Sequence, residues 1–314
     1  MISEKYGKVI KGLGGLYSIR VQEESGISVY TCRAKGSLHR DEEKVLIGDN
    51  VKLLVDDMTP DSIVISEICE RASALIRPPM ANLDCLFIVL AAKKPTPVLE
   101  VVDKLSAIAI HNSITPVVVV TKDDLAPDVA KEYADIYTRA GIASFVTSAT
   151  DATGLEPLKA YIEENIVGGR TAAFAGASGV GKSTLMNALF PSLALRTSEI
   201  SRKIERGRHT TRHVELFEIN TESAEGCGFL ADTPGFSLVD FARFDFFTLE
   251  DLPATFPDIL PFAKGCRYAD CAHVGEGAED CAVARAEREG RISESRLASY
   301  RIIYKTLKDK NKYD

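Results

Sequence analysis

Hydrophobic and polar positions divide the chain into stretches of different period. Over residues 1–70, short segments alternate or cluster β-branched and apolar residues between turn signals: GLYSIRV, GISVYTCRA, NVKLLVDD and DSIVISEI. Lys35-Gly36-Ser37 and Gly48-Asp49-Asn50 supply turns. A period of two marks a strand with one buried face, and short strands at this spacing predict a small barrel of the oligonucleotide-binding type. Arg77-Pro78-Pro79 then punctuates the chain. Residues 85–91 (CLFIVLA) and 116–120 (PVVVV) are unbroken apolar runs, as expected of strands buried on both faces. Between them Val98, Val101, Val102, Leu105, Ile108 and Ala109 recur at helical spacing over 97–112. Helical residues follow at 128–140 and 154–165, with a strand at 143–147 between them. A strand at 171–175 leads into a helix opening near Gly181, and a short strand covers 229–231. Strands alternating with helices predict a mostly parallel, doubly wound sheet. From about residue 245 the pattern is helical, apart from a Cys/His knot at 266–281, and 282–308 forms one long helical segment. The expected architecture is multidomain: a β-barrel at 1–72, an α/β domain at 73–243 and a helical domain at 244–314.

Composition changes this picture little. The chain has 314 residues, 45% apolar and 26% charged, enough to bury cores of real size. The N-terminus, MISEKYGKVIKG, has no positively charged stretch leading into an apolar one, and no apolar run approaches the roughly 18 residues of a membrane span. The expectation is a cytoplasmic, unanchored monomer. A net charge of −7 does not advertise nucleic-acid binding, yet it leaves room for local basic surface. Residues 202–213 (RKIERGRHTTRH) carry five Arg or Lys against one Glu, and residues 285–314 carry nine against five acidic residues. Solvated helix faces are the alternative reading of the second run.

The motifs alter the picture more. Gly176-Ala177-Ser178-Gly179-Val180-Gly181-Lys182-Ser183-Thr184 fits G-x-x-x-x-G-K-[ST] between a strand and a helix. Glycines let backbone N–H groups wrap phosphates, and the helix N-terminus points partial positive charge at them. Lys182 is expected to reach the β- and γ-phosphates and Ser183 to ligate Mg²⁺. Asp232-Thr233-Pro234-Gly235 follows the strand ending at Ala231. Asp232 there is expected to hold the Mg²⁺ site through a water and the Gly235 N–H to sense the γ-phosphate, with a plain turn as the alternative. Between these boxes, Thr210 or Thr211 completes the magnesium shell.

Guanine selection needs a carboxylate accepting from N1–H and the exocyclic amine. Thr121-Lys122-Asp123-Asp124 ends the strand 116–120. Asp124 is placed to read guanine and the Lys122 stem to cover the ring, while Thr121 stands where the usual box has Asn. Thr147-Ser148-Ala149 is similar to the Ser-Ala box whose backbone contacts the guanine carbonyl. An ATPase with a coincidental T-K-D-D is the competing reading. The order is informative: the base-reading boxes precede the phosphate loop, the reverse of ordinary small GTPases. Joining the ends of a sheet and cutting it elsewhere preserves the spatial site, because termini lie at the surface.

Of seven cysteines, Cys32, Cys69, Cys85 and Cys227 are scattered. Cys266-x₄-Cys271-x-His273-x₇-Cys281 supplies three thiolates and one imidazole, a donor set suited to a closed, structural Zn²⁺ site. Packed thiols are the alternative.

The permuted boxes, the barrel before them and the Cys/His knot after them together resemble the ribosome small-subunit-dependent GTPase A family over essentially the whole chain. The resemblance implies an oligonucleotide-binding barrel, a circularly permuted GTPase and a zinc-binding C-terminal domain. It also implies late maturation of the 30S ribosomal subunit, contact with 16S rRNA and GTP hydrolysis to GDP stimulated by the subunit. Carried over, Thr121–Asp124 and Gly176–Thr184 bind GTP, and Cys266, Cys271, His273 and Cys281 bind zinc. Thr121 and the interval from His273 to Cys281 depart from the family pattern. Phe236 stands where small GTPases commonly carry the Gln that orients the attacking water, so another group, or the ribosome, is expected to position it. His209 and His213 are the candidate water-positioning groups, with contact to RNA phosphate as their alternative. Gly179 occupies the place of the Asn by which some GTPases bind K⁺, so no strong K⁺ activation is expected by that route. A nucleotide-switched RNA-binding scaffold with negligible turnover is the second functional reading.

Overall fold

The computed structural model describes residues 2–36, 44–56, 63–193, 214–219, 226–232, 241 and 243–310. They fall into two compact units. One is Met1–Asp84 with Ile162–Phe174 and Glu199–Gly235; the other is Cys85–Tyr161 with Ala175–Ser198 and Phe236–Asp314. In chain order the strands are β1 (Ile2–Leu13), β2 (Leu16–Glu23), β3 (Gly26–Ala34), β4 (Asn50–Asp56), β5 (Ile63–Ile68), β6 (Ala74–Leu75) and β7 (Met80–Ala81). There follow β8 (Cys85–Ala91), α1 (Leu99–His111), β9 (Thr115–Thr121), α2 (Pro127–Arg139), β10 (Ala143–Val146) and α3 (Leu155–Asn165). Then come β11 (Thr171–Ala175), α4 (Lys182–Leu189), β12 (Glu215–Ile219), β13 (Gly228–Asp232), α5 (Leu260–Ala263), α6 (Ala282–Arg288) and α7 (Glu294–Lys310).

In the first unit, β1 to β5 close a five-stranded barrel. β1–β2, β2–β3, β4–β5 and β1–β4 pair antiparallel, and a short parallel pairing of β3 with β5 completes the ring. The period-two pattern fills it: Val51, Leu53 and Val55 of β4 point inward with Val9, Ile19, Val21 and Ile65. β1 was not legible from its own pattern, because Glu4, Lys5, Lys8 and Lys11 interrupt any apolar alternation. Its neighbours make it a strand. It bonds β2 on one edge and β4 on the other, and Lys11 pairs onward with Glu215 of β12. At Gly7 a Cβ would lie 2.6 Å from the Arg20 carbonyl oxygen, so only glycine lets β2 run this close. β12 and β13 are antiparallel, and β13 runs parallel to β11.

In the second unit, β8, β9 and β10 form a parallel sheet in the order β10-β9-β8. Every residue of β8 is buried, as are Val117–Thr121 of β9. Two expectations for the C-terminal region change. Residues 245–259 hold only a 3₁₀ turn at Leu252–Thr255, and α5 is a single turn. Pro253, Pro257 and Pro261 withhold the donors a continuous helix needs. The long segment over 282–308 is two helices, because Gly290 takes a left-handed φ of 72° and ends α6. α7 then packs on α1. Arg296 of α7 is 1% exposed. It bonds Asp103 of α1 at 2.8 Å and grips both carboxylate oxygens of Asp258 at 2.6 and 3.1 Å. Burial pushes the Asp103 carboxyl up, against the pull of that guanidinium.

Candidate active site and metal centre

The chain leaves β11 at Ala175 and turns through 176–181 into α4. Gly176 has φ 139°, and a Cβ there would sit 2.1 Å from the Val89 carbonyl oxygen, so the turn demands glycine twice over. Gly179 and Gly181 also take left-handed φ values, 81° and 102°. Val180 is buried and pins the loop, while Ala177, Ser178 and Gly179 are exposed. The Lys182 ammonium donates to the carbonyls of Gly176 at 2.8 Å and Ala177 at 3.0 Å. Ser183 is half-buried and Thr184 exposed in the first turn of α4, where helical N–H groups have no intrahelical partners.

The base-reading boxes lie at the C-terminal ends of β9 and β10, where parallel sheets carry their sites. Thr121 is buried, and its hydroxyl lies 2.6 Å from the Val180 carbonyl and 3.1 Å from that of Leu90. Lys122 adopts a left-handed φ of 61°. Its ammonium donates to the Gly179 carbonyl at 2.8 Å and to that of Lys94. The Asp123 N–H donates to Thr147, and the Asp124 carboxylate accepts from the buried Ser148 hydroxyl at 2.8 Å. A cavity of about 420 Å³ joins the two sets of boxes. Thr121, Lys122, Asp124 and Ala149 line one part of it, and Val180, Gly181 and Thr184 another. The reversed order in sequence therefore resolves into one concavity in space. Lys94, Leu125 and Thr150 also line it and escaped the sequence reading, since nothing about a loop lysine or leucine marks it.

Asp232 ends β13, in register with Phe174 and Glu215, and its side chain lies outside the described residues. His209, Thr210, Thr211, His213, Gly235 and Phe236 also lie outside the described residues.

The structure gathers Cys266, Cys271, His273 and Cys281, with their donor atoms all within 4.8 Å of one another. His273 Nδ1 stands 3.6, 3.4 and 3.5 Å from the sulfurs of Cys266, Cys271 and Cys281, and Cys266 and Cys281 Sγ are 4.0 Å apart. An ion held tetrahedrally with about 2.3 Å to sulfur and about 2.0 Å to nitrogen has ligand edges of about 3.8 Å (S···S) and about 3.5 Å (S···N). The donors therefore fit a metal without rearrangement. The long interval before Cys281 is accommodated by a turn that returns it as N-cap of α6, where its sulfur accepts from Ala284 N–H at 3.4 Å. Burial pushes the Cys271 thiol up to about 12, so this thiol stays neutral unless a cation offsets the desolvation. The backbone around His273 is pinned: Arg301 of α7 donates to the His273 carbonyl at 3.1 Å, and the Glu276 carboxylate accepts from the N–H groups of Val274 and Gly275.

Comparison with known proteins bears on the same residues. The sequence model of the RsgA GTPase matches residues 68–242, and that of the RsgA N-terminal domain matches 6–63. The small ribosomal subunit biogenesis GTPase RsgA of Alkaliphilus metalliredigens is 39% identical over 309 residues, covering 98% of this chain and 99% of that protein. The protein of the same name from Bacillus subtilis is 36% identical over 309 residues, covering 97% and 98%. Among solved structures, YjeQ from Thermotoga maritima superposes with a TM-score of 0.75 at 29% identity, covering 97% of this chain and 99% of that one. YloQ, described as a circularly permuted GTPase, gives 0.74 at 31% identity, covering 98% and 96%. With both of its parts matched in order and relatives aligned end to end, the chain belongs to the RsgA family and is a circularly permuted GTPase.

Proposed function

We propose that this GTPase acts in late maturation of the 30S ribosomal subunit, binding the subunit and its 16S rRNA and hydrolysing GTP faster when bound. The observation that carries the nucleotide part is the shared cavity: Asp124 and Ala149 face the same space as Val180, Gly181 and Thr184. Asp124 accepts from guanine N1–H and the 2-amino group, Ser148 and Ala149 contact the base edge, and the Lys122 stem covers the ring. Residues 176–184 cradle the phosphates, with Lys182 supplying positive charge where negative charge grows in the transition state. Ser183, Asp232 through water, and Thr210 or Thr211 would hold Mg²⁺, which neutralises phosphate charge. His209 and His213 position the attacking water in place of the Gln that Phe236 replaces. Cys266, Cys271, His273 and Cys281 would hold one structural Zn²⁺, which orders a segment poor in large apolar side chains.

The names of the aligned relatives support the ribosomal part, and the closed five-stranded barrel supports the RNA contact, since this architecture commonly binds oligonucleotides. No helix among the described residues is long and apolar enough to cross a membrane. A cytoplasmic monomer divided near residues 72 and 243 completes the reading. The test is GTP turnover with and without purified 30S subunits, with zinc content determined on the same sample. Turnover that 30S subunits leave unchanged removes the ribosomal reading, and equal turnover of ATP removes the base assignment. Negligible turnover in both conditions would favour a nucleotide-switched RNA-binding scaffold.

A further inference from the structure

Thr121 stands where guanine-reading boxes carry asparagine, and its hydrogen bonds define what the exchange keeps and what it gives up. The side chain is 5% exposed and lines the nucleotide cavity. Its Oγ1 lies 2.6 Å from the Val180 carbonyl oxygen and 3.1 Å from the Leu90 carbonyl oxygen. Both neighbours are acceptors only, and a hydroxyl has a single proton to donate. The shorter distance assigns that proton to Val180, in the phosphate loop. No second donor remains on the side chain. Guanine N7 is an acceptor with no proton to offer, so a hydroxyl already committed in this way cannot bond it. An amide at the same place would carry two N–H donors, one for the carbonyl and one to spare.

We propose that this GTPase recognises guanine without a hydrogen bond to N7, because Thr121 is a positioning residue that ties β9 to the phosphate loop and leaves base selection to the edge read by Asp124. The inference rests on the assignment of the cavity to a guanine nucleotide made above. Lys122 works in the same direction. Its ammonium bonds the Gly179 carbonyl at 2.8 Å and reaches Lys94 O. Consecutive carbonyls of the phosphate loop, 179 and 180, are thus fastened by consecutive side chains of the base-reading turn. The fastening needs only one proton from residue 121, which threonine supplies; reading N7 needs another, which it lacks. Purines altered at position 7 should therefore be accepted, whereas purines altered at the N1 and C2 edge should not.

The experiment measures binding of GDP and 7-deaza-GDP to the full-length protein by calorimetry. The expected affinities agree within about twofold. A 7-deaza-GDP affinity weaker by about fivefold or more, the usual effect of losing one hydrogen bond, overturns the proposal. Thr121→Asn supplies the spare donor and should create a several-fold preference for GDP over 7-deaza-GDP. A ratio unchanged from that of the parent protein overturns the assignment of the missing contact to residue 121. Thr121→Ser retains the hydroxyl and should keep the ratio, whereas a preference for GDP in this variant overturns the assignment of the missing contact to the lost second donor. Thr121→Val strands the Val180 carbonyl, so both nucleotides should weaken together by about three- to tenfold with their ratio fixed. The ratio is the readout that a merely structural role would not move. Failure of the underlying site assignment is distinguishable: Asp124→Asn should shift preference from GDP toward XDP, whose C2 carbonyl needs a donor. If that variant prefers GDP as before, the cavity is not the base site, whatever the 7-deaza ratio.

Discussion

The nucleotide-site loops and the Cys/His knot belong to the same compact unit and are held in opposite ways. The base-reading turn hangs from buried stretches of strand: all of β8 and Val117–Thr121 of β9 are buried. Its polar side chains then fasten neighbouring loops through backbone carbonyls, Thr121 to Val180, Lys122 to Gly179, and Lys182 to Gly176 within the phosphate loop. Removing one such side chain leaves the strands in place. Residues 266–281 contain no helix or strand. Four donor atoms within 4.8 Å of one another gather them, beside turn hydrogen bonds and an Arg267–Asp280 ion pair, and Ala278 is the one buried aliphatic side chain. In the first region the scaffold makes the site; in the second the site makes the scaffold. Single substitutions should therefore damage function in the first and structure in the second.

The largest effect expected is removal of the metal proposed for Cys266, Cys271, His273 and Cys281. Structural zinc contributes on the order of 10 kcal/mol of apparent binding free energy in small metal-ordered segments. Stripping the metal, or Cys281→Ala, should abolish hydrogen-exchange protection over 266–281 while GDP affinity stays within about twofold. Retained protection in metal-free protein would break the comparison. Next comes Arg296→Met, which strands Asp103 and Asp258, 0% and 6% exposed, without a cation. Breaking a buried pair on one side costs about 3–5 kcal/mol, to be read in urea unfolding. A loss below about 1 kcal/mol would show that α1 and α7 do not depend on that ion pair.

Lys182→Ala is the contrasting case. GTP turnover should fall by roughly a hundredfold or more, about 3 kcal/mol of transition-state stabilisation, with the melting temperature little changed. A large drop in melting temperature would mean the phosphate loop supports the fold as well as the chemistry. The smallest effect lies in the barrel. The Lys5 ammonium, and after it the Tyr30 hydroxyl, hold the Glu23 carboxyl at about 2, against an ordinary 4.5. A depressed folded value contributes stability in full above pH 4.5, and this is lost as pH falls from 4.5 toward 2. Lys5→Met should flatten that part of an acid-unfolding curve followed by circular dichroism. The change should be slight because the cluster faces solvent.

Much of the site was legible because the relevant signals are local. A glycine-rich turn between a strand and a helix, a carboxylate at a strand end, and thiols with an imidazole within sixteen residues each specify chemistry from a short window. The identity of Thr121 was legible too, but its hydrogen bonds were not, since Val180 lies 59 positions away. Arg296 read as one more member of a basic C-terminal run. Its partner Asp103 is 193 positions distant, and no pattern in α7 distinguishes it from the solvated cations around it. The broken helix at 289–293 shows the opposite error. An apolar pattern outlasts its helix because Gly290 reverses the backbone without interrupting the hydrophobic count.

The sequence by itself determined which chemistries the chain carries and the permuted order in which it meets them, because residue identity and short spacing are properties of the polymer. Only the tertiary structure decided which boxes share a cavity, that a charged segment such as β1 completes a barrel, and which protons are already committed. Those outcomes depend on hydrogen-bond partners and burial supplied by residues far along the chain. A hydroxyl or guanidinium has a fixed donor capacity, and only the folded neighbourhood determines how much of it is left for a ligand.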